Sequence, residues 1–206
     1  MRHREDHGGV QRWHDQRPHH RHQLYLLVHG AKTLQEAIQA ARHTPSTIDE
    51  HWDTLVRYGR LVHTVLELGS GFSTLAWLAS AGHVTTIDVE PLPWTDRLLD
   101  LAGGQLEAFV GSDLDFPPRA VDLLYIDTLH TYEQLRQELA LHGPHAGLIV
   151  MHDVESFGTA DSPLTRQYCP GDRGLIPAIQ EFCAASGYKV LEHFFHQHGL
   201  MILERP

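Results

Sequence analysis

The run Val65-Leu66-Glu67-Leu68-Gly69-Ser70-Gly71-Phe72-Ser73-Thr74-Leu75 constrains the fold of this chain more than any other stretch. An apolar segment of strand length stops at two glycines and resumes as an amphipathic helix. Glycines at such a turn let the backbone approach a ligand closely, and the following helix offers unpaired N–H groups in its first turn. Gly69, Ser70 and Gly71 therefore read as the floor of a cofactor cradle. Ser73 is placed to cap the helix that follows.

Two nucleotide-binding readings fit that geometry. A dinucleotide cradle prefers G-x-G-x-x-G, in which the third glycine allows close helix packing and the helix terminus holds a pyrophosphate. Here Thr74 stands where the third glycine would be. The Glu67 carboxylate, just ahead of the glycines, would repel a pyrophosphate but suits a ligand carrying an ammonium or sulfonium. That balance favours S-adenosylmethionine. A nicotinamide-dependent oxidoreductase stays as the second reading.

Later strands end in residues that suit the same ligand. The run His83 to Asp88 reads as a second strand ending in a carboxylate, the position from which Asp88 binds ribose hydroxyls. A third strand, about Leu106 to Val110, ends in Gly111-Ser112-Asp113, where Ser112 or Asp113 can meet an adenine amino group. The fourth, Val121 to Ile126, delivers Asp127 to the same edge, and the fifth, Gly147 to Met151, delivers His152 and Asp153. Ligands of open α/β sheets bind outside these carboxyl ends. Asp127 is free for chemistry because Thr131 and Gln134 already have capping-box spacing for the next helix. Glu133 reads as a solvated surface charge.

With these landmarks in order, the chain resembles the class I S-adenosylmethionine-dependent methyltransferases from about Thr47 to Leu203. Within them, Tyr125-Ile126-Asp127-Thr128-Leu129-His130-Thr131-Tyr132-Glu133 and Val150-Met151-His152-Asp153-Val154 are similar to segments of a small-molecule O-methyltransferase group. That group includes macrocin and sugar O-methyltransferases and cephalosporin-hydroxylase-like proteins. The resemblance implies an α/β fold: a Rossmann-like, doubly wound, seven-stranded sheet, mostly parallel with a terminal antiparallel strand. It implies O-methylation of a small hydroxylated acceptor such as a sugar, glycan or natural-product intermediate, and related enzymes are often homo-oligomers. A non-catalytic S-adenosylmethionine-binding protein on the same fold is a third reading, since fold does not guarantee activity.

The 206 residues, 42% of them hydrophobic, suffice for one domain with a sizeable core. A formal charge of −10 leaves no broad basic footprint for nucleic acid. Cys169 and Cys183 have no metal-ligand spacing, and neither a leader nor a long apolar span is read, so a cytoplasmic protein without membrane attachment is expected. Residues 1–23, rich in His and Arg, read as a solvated tail, and residues 24–206 as the methyltransferase domain. Leu34, Ala37, Ile38 and Ala41 share one helical face, and Thr47 with Glu50 has capping-box spacing ahead of a second helix, so helices cover about residues 34–58. Residues 155–174, long and without periodicity, read as an acceptor loop. Ile176, Ile179 and Phe182 mark a helix, and a hairpin from Tyr188 to Leu203 closes the chain.

The chemistry requires an oxygen nucleophile aligned with a methyl–sulfonium bond and a destination for its proton. Asp127, His130 and His152 are the catalytic candidates. In one arrangement Asp127, His152 and Asp153 hold Mg²⁺ or Mn²⁺, which lowers the pKa of the acceptor hydroxyl. In the other no metal is present, and His130 or His152 accepts the proton while a carboxylate orients the ring. A chain with 18 histidines also places some near any cleft as structural residues.

Overall fold

The computed structural model describes residues 18–206. Helices α1 (Pro18–Gly30), α2 (Leu34–Arg42) and α3 (Trp52–Gly59) precede strand β1 (Thr64–Leu68). There follow α4 (Phe72–Leu78), β2 (His83–Asp88), α5 (Thr95–Ala102), β3 (Leu106–Val110), β4 (Val121–Ile126) and α6 (Tyr132–His142). The remainder is β5 (Ala146–His152), α7 (Pro163–Tyr168), α8 (Leu175–Ser186), β6 (Lys189–Phe194) and β7 (Leu200–Glu204). The strands form one seven-stranded sheet in the order β3-β2-β1-β4-β5-β7-β6. All neighbours are parallel except at β7, which runs antiparallel to both β5 and β6. This is the doubly wound α/β architecture expected from the sequence.

Side chains alternate across a strand, so each strand feeds two cores. Val65, Leu123, Tyr125 and Val150 pack toward α1 to α5, where Leu75, Ala76 and Trp77 are fully buried. Leu66, Leu68, Leu124, Ile126 and Ile149 pack on the other face against Leu135 and Leu139 of α6 and Ala178 and Ile179 of α8. Burial on both faces explains why the central strands read as continuous apolar runs.

The N-terminal helices differ from expectation in two ways. Helix α1 begins inside the segment read as a tail; residues 1–17 of that segment lie outside the described residues. Leu24 and Val28 anchor α1 in the core, an apolar pair too sparse to register as periodicity. The capping box at Thr47 and Glu50 does not form. Instead α3 is entered through a 3₁₀ turn, Asp49–His51, and the Glu50 amide donates to Asp49 Oδ1 (2.8 Å) and to Gln197 Oε1 of the β6–β7 loop (2.7 Å). The cap before α2 is supplied by Thr33, which accepts from the Glu36 amide at 3.2 Å. Among the described residues no helix is long and apolar enough to cross a membrane, and both cysteines are free.

Leu124 lies at the centre of β4 with no exposed surface. Replacing it with alanine is expected to cost about 2–5 kcal/mol of stability through lost burial and the cavity left behind. Denaturant titration checks this: the midpoint should fall with the slope unchanged.

Candidate active site

The strand order reverses between β1 and β4, which opens a crevice at the carboxyl edge of the sheet. Register brings the candidate residues there in a row. Leu68 pairs with Ile87 and Ile126, and Ile126 with Met151, so Gly69, Asp88, Asp127 and His152 follow at neighbouring strand ends. A cavity of about 330 Å³ occupies this edge, with Gly69, Ser70, Gly71, Ser73, Asp127 and Asp153 on its wall.

The turn after β1 is built around close approach. Gly69 has φ +88°, and a Cβ there would collide with the Asp127 carbonyl. The Asp127 amide in turn donates to the Leu68 carbonyl at 2.9 Å. Ser70 hydrogen-bonds Thr86 through its hydroxyl, and its amide donates to Asp88 Oδ2 at 3.2 Å. Asp88 Oδ1 accepts the Glu90 amide at 3.1 Å.

Glu67 does not reach the cavity wall. The two-residue period of β1 turns it toward α4, where it is fully buried and accepts hydroxyl hydrogens from Ser73 (2.7 Å), Thr74 (2.5 Å) and Thr86 (2.7 Å). Thr74 Oγ1 also accepts the Gly71 amide at 3.2 Å, so Glu67 props up the glycine turn from beneath. Burial pushes its carboxyl up to about 7, against the opposing pull of the three hydroxyls. Ser73 thus bonds Glu67 rather than capping α4, whose N-cap is Gly71.

Farther along the cavity wall, Asp127 and Asp153 stand between two imidazoles. His130 Nε2 lies 2.8 Å from Asp153 Oδ2 and 3.3 Å from Asp127 Oδ1. His152 Nδ1 lies 3.4 Å from Asp127 Oδ2 and 3.6 Å from Asp153 Oδ2. Burial alone would raise both carboxyls. Hydrogen bonds and charge from His130 and His152 hold Asp127 well below the usual range and also lower Asp153. Burial would likewise lower both imidazoles, but the carboxylates raise His130 and lift His152 to about 9. Asp153 has φ 62°, a left-handed conformation uncommon outside glycine. The turn is fixed from both sides, since the Phe157 amide donates to the Asp153 carbonyl and the Glu155 and Ser156 amides donate to the His198 carbonyl.

The donor atoms that lie within 4.8 Å of one another belong to Asp127, His130 and Asp153. His130 therefore takes the third place in the metal-capable set that the sequence reading gave to His152. Neither histidine lines that cavity. Ser112 and Asp113 also turn away from it. Ser112 caps a 3₁₀ turn, while Asp113 is buried and accepts from Gln134 of α6 at 3.3 Å. Asp88 sits beside the turn without lining the cavity. The sequence reading missed Arg21, Trp94 and His198, all on the wall. Arg21 lay in the presumed tail. His198 sits in the hairpin loop at φ 68°, its Nδ1 2.7 Å from Ser156 Oγ.

The sequence matches no protein-family model and no curated protein. Solved structures do resemble this one. An N-methyltransferase, NodS of Bradyrhizobium japonicum, in complex with S-adenosyl-L-homocysteine, aligns at 16% identity and TM-score 0.58, covering 85% of this chain and 100% of that one. An O-methyltransferase family 2 protein of Planctomyces limnophilus, in complex with apigenin, aligns at 18% identity and TM-score 0.54 over 69% of this chain. The pyocyanin biosynthetic protein PhzM aligns at 17% and 0.54 over 77% of this chain. This chain has a methyltransferase fold. It spans only 51% of the Planctomyces protein and 56% of PhzM, so at these identities the likeness concerns architecture.

A carboxyl raised from 4.5 to about 7 by folding stabilises the protein below pH 4.5, and that contribution is lost as pH rises through 7. Glu67→Gln removes the titration. Between pH 5 and 8 the stability of the variant relative to the parent is expected to improve by roughly 2–3 kcal/mol. Chemical denaturation at the two pH values measures the difference; a pH-independent difference contradicts the assignment.

Proposed function

We propose that the chain is a cytoplasmic S-adenosylmethionine-dependent O-methyltransferase acting on a hydroxyl of a sugar or other small metabolite. The observation that carries the proposal is the shared cavity at the sheet's switch point, with a Cβ-free glycine turn at one end and the Asp127 and Asp153 carboxylates at the other. The cavity suits the cofactor in shape and chemistry. Gly69 to Gly71 leave room for a ligand against the backbone, and Trp94, Phe72 and Ile48 offer apolar surface. A carboxylate has about four acceptor sites, so the two amides bound by Asp88 do not bar ribose hydroxyls.

When bound, S-adenosylmethionine supplies an electrophilic methyl group. The residues of this chain then orient the acceptor and receive its proton. Asp127 and Asp153 reach the cavity, so their oxygens are the groups that touch an acceptor hydroxyl. His130 and His152 hold those oxygens in place and share protons with them, so the cluster titrates as a unit. A divalent cation fits the same place: Asp127 and Asp153 offer oxygens and His130 a nitrogen within one small volume. When bound, such an ion lowers the pKa of a coordinated hydroxyl. The O- and N-methyltransferase neighbours support methyl transfer as the reaction class. Hydroxyl acceptors are favoured by the carboxylate-rich acceptor end.

Asp127→Asn is expected to leave S-adenosylmethionine affinity within about threefold while cutting methyl transfer by about 100-fold or more. Transfer of labelled methyl to a panel of hydroxylated sugars and phenols, with calorimetry for affinity, separates the two. Equal loss of both would remove Asp127 from the acceptor side.

A further inference from the structure

We infer that His198, at the turn between β6 and β7, binds the acceptor hydroxyl beside Asp153, accepting its hydrogen bond through Nε2. The inference deepens the proposed function and rests on its placing of the acceptor at Asp153.

Access sets His198 apart from the other imidazoles near the carboxylates. Its side chain is 36% exposed, whereas those of His130 and His152 are 4% and 0% exposed. Among the described residues it is the one histidine on the cavity wall, where Asp127 and Asp153 also stand. A ring on the wall can meet an acceptor directly, while the two buried rings act only through the carboxylates.

The ring is oriented from one edge. Nδ1 lies 2.7 Å from Ser156 Oγ and 3.8 Å from Asp153 Oδ1. A carboxylate oxygen at that distance attracts an N–H and repels a lone pair, so the hydrogen of the neutral ring is favoured on Nδ1, which donates it to Ser156. Nε2 is then an acceptor, and among the described residues no hydrogen bond occupies it. A hydroxyl that donates its one hydrogen to this nitrogen keeps its own lone pairs for the methyl group, and the bond fixes their direction.

The backbone holds the ring there against its own preference. Gln197, His198 and Gly199 have φ of 40°, 68° and 88°, a left-handed run that non-glycine residues adopt when neighbours impose it. Both flanks do so here. The Glu155 and Ser156 amides donate to the His198 carbonyl at 2.9 and 3.1 Å, and a Cβ on Gly199 would come within 2.7 Å of the Glu155 nitrogen. From the α2–α3 linker, the Glu50 amide donates to Gln197 Oε1 at 2.7 Å, and Gln197 Nε2 donates to the Ser46 carbonyl at 3.0 Å. Strain maintained in this way clusters at residues that contact ligands.

The test is titration of the full-length protein, saturated with S-adenosyl-L-homocysteine, with methyl glucoside and with phenol as probes, followed by imidazole nitrogen NMR shifts. The signal missing from His198→Asn assigns His198. At least one probe is expected to shift its Nε2 resonance saturably. His198→Asn keeps a polar group at the Nδ1 position and tolerates the left-handed backbone but ends short of Nε2, and should weaken probe binding about tenfold, the worth of one hydrogen bond. His198→Gln carries its terminal amide to the Nε2 position and should bind the probe within about threefold of the parent. A residue that only braces the loop gives the opposite order. That order, equal weakening in the two variants, or no shift at His198 from either probe overturns the inference. If a variant fails to fold, the titration of the parent protein decides. Absence of S-adenosyl-L-homocysteine binding overturns the methyltransferase reading and this inference with it, whereas silence at His198 with that molecule bound overturns the inference alone.

Discussion

At the carboxyl edge of the sheet the backbone of Gly69 lies against the carbonyl of Asp127, at a φ of +88° where a side chain would collide. This contact joins the ends of β1 and β4 at the one place where the strand order reverses, and the other features of the site are positioned from it. It sets the turn that floors the cavity, fixes Asp127 opposite that turn, and through the β4–β5 register brings His152 and Asp153 alongside. Two chemically different ends of a single cavity therefore depend on one close approach of backbone to backbone.

Buried carboxyls serve opposite purposes on either side of that contact. Glu67 faces only hydroxyls, which cannot balance the loss of water, so its carboxyl rises to about 7 and acts as a keystone under the turn. Asp127 and Asp153 lose water as well but face two imidazoles, and their carboxyls are lowered. What surrounds each group, rather than burial itself, separates a carboxyl that is raised from one that is lowered.

The strands, their order of function and the residues at their ends were legible because parallel strands buried on both faces leave unmistakable apolar runs, each followed by the residue it delivers. Glu67 was misplaced for a reason of period: one residue along a strand decides whether a carboxylate faces ligand or helix, and sequence spacing to the turn does not show which. Ser112 and Asp113 look equally exposed as a loop, yet α6 supplies Gln134 to hold Asp113 inward. The exchange of His130 for His152 in the metal-capable set depends on the path of the loop after Asp127. Arg21, Trp94 and His198 come from three separate segments with no shared pattern, and only folding brings them to one wall.

The central claim is that the glycine turn holds S-adenosylmethionine rather than a dinucleotide. Calorimetric titration of the purified chain with S-adenosylmethionine, S-adenosyl-L-homocysteine and NAD, run in parallel, tests it most directly. The structure predicts saturable binding of the first two and none of NAD; binding of NAD alone would contradict the account and return the fold to an oxidoreductase.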